Sequence, residues 1–289
     1  MRPLAERMRP RTLDEMVGQK RLLAPDSALR RAVESGRVHS MILWGPPGCG
    51  KTTLALLLAE YADAEFRAIS AVLSGLPEVR QVLAEAAQRF AEGRRTVLFV
   101  DEVHRFNKAQ QDAFLPHIER GTILFVGATT ENPSFELNSA LLSRCRVHVL
   151  EGVSPTDIVE ALERALGDRE RGLGEEHIEV APELLLEIAT AADGDVRRAL
   201  TLLEIAAELA GGEGGRIPPP TPAQGPADRT PRLRQGGEAF LDQIPAAPQT
   251  RRSPHPDAAL DRPTPLLAGG CAPSFPALPR TPPGPGGNR

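Results

Sequence analysis

The sequence contains few of the residues and patterns that mark disulfide-linked, zinc-bound or membrane-spanning proteins. Cysteine occurs only three times among 289 residues, at Cys49, Cys145 and Cys271, and never as C-x-x-C. This argues against a disulfide framework and against a zinc site. No apolar run approaches the length of a bilayer span, and the first residues lack the apolar core of a signal peptide. We therefore expect a cytoplasmic protein with no membrane partner.

Aromatic residues are also scarce, and the net charge is small. Aromatics make up 4% of the sequence, so a hydrophobic core has to be built from Leu, Val, Ile and Ala. The formal net charge of −4 argues against a globally basic surface that coats nucleic acid, and leaves only a local basic patch for such contacts. Hydrophobic residues at 41% and charged residues at 25% are typical of a globular protein.

Proline and glycine divide the chain near residue 210. Residues 211–289 hold 18 of the 28 prolines and 12 of the 26 glycines. The prolines between 218 and 231 are too closely spaced for a helix to form between them. The composition predicts a Pro/Gly-rich tail over 211–289 that is mostly disordered.

Apolar runs alternate with helical patterns over residues 1–150. The runs at 40–44, 96–100 and 122–126 predict strands buried on both faces, and weaker strands are predicted at 65–69 and 147–150. Apolar residues at helical spacing predict helices over 54–61 and 79–90, and a third helix from Asn107 to near Gly121. The alternation predicts an α/β domain in which helices flank a parallel sheet.

After residue 151 the strand patterns stop. Ser154 followed by Pro155 predicts a helix through about residue 166, Pro182 begins a second, and apolar residues from Val196 to Ala207 follow one face of a third. The sequence therefore predicts a small all-helical domain over residues 151–210, which would form a lid on the α/β domain.

A phosphate-binding loop is predicted between the first strand and the helix after it. Residues 45–52 read GPPGCGKT and match G-x-x-x-x-G-K-[ST] at each fixed position. In such a loop the glycines let backbone N–H groups face phosphate oxygens, the lysine reaches the β and γ phosphates, and the Thr52 hydroxyl ligates Mg²⁺. The predicted contacts with the nucleotide are Gly45, Pro46, Pro47, Gly48, Cys49, Gly50, Lys51, Thr52 and Thr53.

Two acidic residues follow a second buried strand about 50 residues later. Asp101 and Glu102 end the run 97–100, at the carboxyl edge of the predicted parallel sheet where the phosphate loop also lies. Asp101 can hold Mg²⁺ directly or through water. Glu102 can orient and deprotonate the water that attacks the γ-phosphorus.

Further segments supply polar side chains for a phosphoryl-transfer site. The strand before residue 130 ends in Thr129-Thr130, of which Thr130 is favoured to lie near the attacking water and Thr129 remains the alternative. Arg144 follows a short helix and could reach into a neighbouring copy, and Arg197 begins the last helix of the lid and could bridge to the γ-phosphate. Residues 9–19, including Val17, Gly18 and Gln19, could surround the adenine.

These motifs in this order resemble the clamp-loader-like branch of the AAA+ ATPases. The segments 101–111 (DEVHRFNKAQQ) and 127–138 (GATTENPSFELN) resemble the replication-associated recombination protein A family more closely, over about residues 4–210. The resemblance implies ATP and Mg²⁺ as cofactors, with Thr130 as sensor 1, Arg144 as a finger acting in trans and Arg197 as sensor 2. It also implies a DNA-dependent, tetrameric, nucleoid-associated ATPase at stalled forks, gaps and duplex ends. Single-strand-binding protein and other replication or recombination proteins would be its partners.

The tail departs from that family pattern. Segments at 236–244, 256–260 and 269–271 resemble pieces of the family's helical C-terminal oligomerising region. Prolines at 245, 248, 254, 263 and 265 interrupt these segments, and proline costs about 3 kcal/mol or more inside a helix. We therefore expect a degraded copy of that region, a chain that ends before the family's usual C-terminus, and impaired assembly.

Three other functions stay open. Within the same fold, the chain could be a clamp-loader subunit, although the cysteine-rich zinc module of the bacterial motor subunit is absent, or a Holliday-junction branch-migration motor, although no C-terminal winged helix is predicted. A protein of another class, a nucleotide-binding scaffold that does not hydrolyse ATP, would fit a chain with impaired assembly.

Overall fold

The computed structural model describes residues 2–210 and the backbone of residues 216 and 217. Its α/β part contains five strands: β1 Met41–Trp44, β2 Ala64–Ser70, β3 Arg95–Asp101, β4 Leu124–Thr129 and β5 Arg146–Val149. All neighbours are parallel, in the order β2-β3-β4-β1-β5. The predicted α/β fold with a parallel sheet flanked by helices is confirmed, since each predicted strand is present with its ends within three residues of the prediction.

Helices cover both faces of this sheet. They are α2 Ala28–Glu34, α3 Lys51–Tyr61, α4 Leu76–Ala91, α5 Lys108–Asp112, α6 Leu115–Glu119, α7 Pro133–Glu136 and α8 Ser139–Leu142. The first helix, α1 Leu4–Arg7, does not pack on the sheet. One buried apolar cluster packs α2 and α3 against the sheet, and a second packs α4 and the segment around Phe114 against the other face. The central strands are buried on both sides because both clusters contact them, which explains their uninterrupted apolar sequences.

The prediction of one continuous helix between Asn107 and Gly121 is wrong. The structure has two short helices there, α5 and α6, separated at Ala113 and Phe114. Pro116 lies in the first turn of α6. A proline ring clashes with the carbonyl four residues earlier, here that of Asp112, so a continuous helix cannot pass this point.

The helical part follows β5. It contains α9 Pro155–Gly167, α10 Pro182–Ala191 and α11 Val196–Leu209, which pack on one another around a cluster of Leu, Ile and Ala. The structure adds β6 Glu179–Val180 where the sequence predicts helices only, and β6 pairs in parallel with β7 Arg216–Ile217, which lies in the segment predicted to be a mostly disordered tail. The predictions for the rest of the tail lie outside the described residues.

The N-terminus belongs to the hydrophobic core of the helical part. Leu4 and Met8 are buried in its apolar cluster, although the sequence predicts that residues 1–150 form the other domain. The N–H of Leu4 donates to Glu204 on α11 at 2.8 Å, and Arg7 donates to the carbonyl of Gly172 at 2.9 Å. The chain therefore starts in the helical part before it enters the sheet.

The strand register aligns the carboxyl ends that carry the predicted motifs. Trp44, the last residue of β1, is opposite Thr129, the last residue of β4. Val100 near the end of β3 is opposite Gly127 of β4. Because β4 lies between β1 and β3, the phosphate loop, the acidic pair and the Thr129-Thr130 pair meet at one edge of the sheet.

Candidate active site

The loop after β1 is shaped by glycines in conformations that other residues avoid. Gly48 has φ 67° and Gly50 has φ 100°, both in the left-handed region, and Gly50 is the N-cap residue of α3. Gly45 approaches β5 so closely that a methyl group there would lie 2.3 Å from the carbonyl oxygen of Leu150. The loop therefore exposes backbone N–H groups at the positive end of a helix, which suits a phosphate.

Lys51 is held by the loop itself. Its side chain is buried, and Nζ donates to the carbonyl oxygens of Gly45 and Pro46, at 2.8 Å each. Gly45 and Pro46 do not line the cleft and contribute these carbonyls instead. The ammonium group is therefore positioned at the loop before any phosphate arrives.

A cleft next to this loop brings together the predicted residues from distant parts of the chain. From the loop and α3 it is lined by residues 47–53, and from the strand ends by Asp101, Glu102 and Thr130. The lid adds Arg197. The four segments that carry the predicted phosphate-binding and catalytic residues of the cleft thus meet in one place.

The two threonines after β4 have different surroundings. Thr130 lines the cleft, and its hydroxyl donates to Oε2 of Glu102 at 3.4 Å. Thr129 is fully buried, and its hydroxyl contacts the backbone of Glu131 and the imidazole of His104. The geometry therefore supports Thr130 over Thr129 as the threonine near the reacting phosphate, a role that stays a prediction.

The lid forms the opposite wall and contacts the phosphate loop directly. Val196, Arg197 and Leu200 of α11 line the cleft. Asp195, the N-cap of α11, accepts from the N–H of Arg198 at 3.0 Å, and its carboxylate also lies against Gly48. A methyl group on Gly48 would lie 1.9 Å from Oδ1 of Asp195. The absence of a side chain at Gly48 thus allows the lid to approach.

The N-terminal segment borders the cleft only in part. Arg9, Pro10, Glu15, Met16 and Val17 line it, whereas the predicted Gly18 and Gln19 lie outside. The side chain of Gln19 is buried and donates to the carbonyls of Glu151 at 2.7 Å and Cys49 at 3.3 Å. Gln19 therefore ties the phosphate loop to the connection before the lid.

Arg144 lies outside the cleft of its own chain. Its guanidinium is paired with the carboxylate of Glu119 on α6 and donates to the carbonyl of Ala140 at 2.9 Å. Both partners of the ion pair are at least a third exposed, so the pair adds only about 0–1 kcal/mol to stability. An exposed arginine at this place is available to a second copy of the chain.

Neither described cysteine is suited to act as a nucleophile. Burial raises the pKa of the Cys49 thiol in the phosphate loop, against the opposing effect of Lys51. Burial raises the pKa of Cys145 to about 12. Both thiols therefore remain protonated at neutral pH, and Cys49 serves as a small apolar residue.

Comparison with known proteins identifies the family. Residues 41–153 match the model of the ATPase family associated with various cellular activities (AAA). The chain is 52% identical over 278 residues to replication-associated recombination protein A of Coxiella burnetii. The aligned residues make up 94% of this chain and 62% of that protein. It is also 52% identical to the protein of that name from Escherichia coli K12, over 89% of this chain and 58% of that protein. The chain belongs to the replication-associated recombination protein A family of AAA ATPases.

Similarity to a solved structure confirms the α/β fold. Thermotoga maritima RuvB, a Holliday junction branch migration motor, matches with a TM-score of 0.58 and 29% identity over 71% of this chain and 67% of that chain. The chain spans about three fifths of the length of the curated recombination proteins it matches. In the part of the chain that the structure describes, no helix is both long and apolar enough to cross a membrane.

The cleft suits the nucleotide and metal that AAA ATPases use. The glycines of the loop leave its N–H groups accessible, and Thr52 and Asp101 both line the cleft with hard oxygen ligands. Within the described residues, no group of three or more His, Cys, Asp or Glu side chains could hold a metal ion. A Mg²⁺ ion held by one carboxylate, one hydroxyl and the phosphates needs no such group.

The sequence did not single out several residues that border the cleft or support it. The lid and its connection add Val153, Ala161 and Arg164, whose guanidinium donates to the carbonyl of Glu15 at 2.6 Å. His104 and Asp195 support the cleft from outside its lining. No sequence motif marks Asp195 except its place two residues before Arg197, and His104 follows the acidic pair by two residues.

Proposed function

We propose that this protein is a DNA-dependent ATPase that binds Mg·ATP between the α/β part and the helical lid. The observation that carries the proposal is the convergence of Lys51, the Asp101-Glu102 pair, Thr130 and Arg197 on one cleft. No single motif would carry it, because each residue type is common on protein surfaces, whereas their meeting in one cleft is not.

Each residue has a role that follows from its chemistry. The loop N–H groups and Lys51 bind the phosphates, and Thr52 and Asp101 hold Mg²⁺. Glu102 accepts a proton from the attacking water, and Thr130 helps to orient that water. Arg197 reaches the γ-phosphate from the lid. Mg²⁺, when bound, neutralises charge that develops on the phosphate oxygens.

The site is completed by a second copy of the chain. Arg144 is exposed and outside its own cleft, as expected of an arginine that enters a neighbour's site. Such an arginine contributes about 10³- to 10⁵-fold in rate. Homo-oligomerisation is therefore part of the proposal, and the tail determines how well the copies assemble.

Mixing two inactive variants tests the shared site. Lys51→Ala and Arg144→Ala should each abolish ATP turnover, but mixed complexes should recover part of it. In some interfaces an intact cleft of the Arg144→Ala chain meets Arg144 of the Lys51→Ala chain. Mixing Lys51→Ala with Glu102→Gln is the matched control, because both defects lie in the same wall and no interface can combine the intact groups. Recovery in the control, or none in the first mixture, would contradict the shared site.

The proposed substrate is DNA at forks, gaps and duplex ends. This rests on similarity to replication-associated recombination proteins, and it predicts that DNA with a single-strand/duplex junction raises ATP turnover more than the same duplex with sealed ends. Equal rates with and without junction DNA would refute a fork-directed role. Single-strand-binding protein is a proposed partner at such junctions.

A branch-migration motor is the second candidate, because the fold resembles that of RuvB. A four-way junction separates the two functions. A branch-migration motor should respond most strongly to the four-way junction, whereas the fork-directed ATPase should respond equally or more strongly to a simple junction.

A further inference from the structure

His104 lies behind Glu102 and contacts its carboxylate. The His104 side chain is 8% exposed and does not line the cleft, while that of Glu102 is 31% exposed and does. Nδ1 of His104 is 3.2 Å from Oε2 of Glu102 and 2.9 Å from the hydroxyl of Thr129. A nearly buried imidazole is therefore in close contact with the carboxylate that we propose as the catalytic base.

The surroundings of Thr129 determine where the proton lies. Its hydroxyl donates to the carbonyl oxygen of Glu131 at 3.2 Å and accepts from the N–H of Glu131 at 3.0 Å. A hydroxyl has one proton to donate. When that proton goes to Glu131, Thr129 accepts from His104, so Nδ1 carries the hydrogen that it donates to Thr129, and it lies against the carboxylate of Glu102.

The backbone after β3 brings the imidazole back onto this carboxylate. Glu102 has φ 51° and ψ 46°, a left-handed conformation that residues other than glycine rarely adopt. Its carbonyl accepts from the N–H of Arg105 at 2.8 Å, which closes a single 3₁₀ turn over Val103–Arg105. The turn places His104 two residues after Glu102 and against its side chain.

We infer that His104 is a positioning residue that orients Glu102 for catalysis. Oε2 of Glu102 accepts from the hydroxyl of Thr130 at 3.4 Å and lies 3.2 Å from Nδ1 of His104. Oε1 is then directed to accept a proton from water in the cleft. His104 and the strand end of β4 thus set the direction of the carboxylate without touching the nucleotide. The inference rests on the proposed role of Glu102.

Two amide substitutions test this role. In His104→Asn the amide nitrogen is as many bonds from the backbone as Nδ1, whereas in His104→Gln it is one bond farther. We expect His104→Asn to keep kcat for ATP within about threefold of the wild type, and His104→Gln to lower it by about tenfold or more, because the polar contact with the charged carboxylate is lost. The KM for ATP should change little in either, since neither variant removes a contact with the nucleotide.

The measurement is steady-state ATP turnover of the full chain with its DNA activator, together with thermal unfolding. A purely structural role would lower kcat and the unfolding temperature alike in both variants, without rescue by Asn. That result would overturn the inference, as would a wild-type kcat in His104→Gln, an increased kcat, or a loss expressed in KM alone. If His104→Gln does not fold, Thr129→Val tests the same link, because it removes the hydroxyl that fixes the imidazole, and an unchanged kcat would be equally negative.

Glu102→Gln separates this inference from the proposed function. If Glu102→Gln retains full turnover, Glu102 is not the base and the proposed mechanism fails. If Glu102→Gln is inactive while His104→Gln is fully active, the mechanism stands and only the role of His104 fails.

Discussion

The two walls of the cleft are built in different ways. The wall at the sheet edge is fixed largely by backbone: parallel register aligns three strand ends, and Lys51 is bonded to carbonyls of its own loop. The lid wall contacts the phosphate loop through a side chain, the carboxylate of Asp195, which lies against Gly48. The sheet edge is thus set by backbone pairing, whereas the lid meets the phosphate loop through side-chain packing.

The first prediction breaks the contact between the walls and should have the largest effect. Gly48→Ala should lower ATP turnover by about 100-fold or more, because the added methyl group overlaps the Asp195 carboxylate and displaces the lid, and misplacement by about 1 Å can cost this much. Turnover and binding of a fluorescent ATP analogue measure the loss.

Gly121→Ala is the matched control for that substitution. Gly121 has φ 68°, close to the 67° of Gly48, but an added methyl group there would have no neighbour within 4 Å. Both variants carry the same left-handed backbone cost of about 1–2 kcal/mol. If Gly121→Ala impairs turnover as much as Gly48→Ala, backbone strain rather than the lid contact explains the effect.

The second prediction sharpens the comparison within the lid. Arg197→Ala should lower ATP turnover by about 10- to 100-fold, as expected for a hydrogen bond to a charged group, with little change in unfolding temperature. Arg198 is its neighbour on the same helix and does not line the cleft, so Arg198→Ala should be close to wild type. Equal losses in the two variants would contradict the role of Arg197.

The third prediction concerns stability at the sheet edge and should have the smallest effect. Burial lowers the pKa of both His39, before β1, and His148 in β5, whose rings are 5.9 Å apart, and the charge of Arg146 lowers both further. Because the unfolded chain binds protons at these imidazoles near the ordinary pKa of about 6.5 and the folded protein does so only at lower pH, stability falls as the pH drops below that value.

His148→Gln should therefore lose less stability than the wild type between pH 8 and pH 5.5. The single tryptophan, Trp44 at the end of β1, lies opposite Val149 of β5 and reports unfolding of this region by fluorescence. An unchanged pH dependence in His148→Gln would contradict the prediction.

Much of the fold could be predicted because local patterns were strong. The near-continuous apolar strands, the glycine loop before α3 and the proline-started helices α9 and α10 each depend on residues close in sequence. The break between α5 and α6 was predictable in principle from Pro116, whose ring excludes a continuous helix. The two-residue pair of β6 and β7 was not, since so short a strand has no periodicity.

The site was predicted less completely than the motifs that compose it. The choice between Thr129 and Thr130 depended on which side chain faces the cleft, and this is decided by how the chain leaves the end of β4, which the sequence does not show. Gln19 was assigned to nucleotide from its place in the sequence, but its hydrogen bonds go to Cys49 and Glu151. His104 contacts Glu102 and Thr129, and Asp195 lies against Gly48. No sequence motif predicts these contacts.

The sequence by itself determined the phosphate loop, the acidic strand end, the α/β class and the family. These depend on residue types at fixed spacing, which the chain carries along its length. Tertiary structure alone decided the strand order that places β4 between β1 and β3, the burial of the N-terminal helix among the lid helices, and the contacts of His104 and Asp195. These arise from packing between segments far apart in the chain, where free energy depends on shape and distance rather than on local pattern.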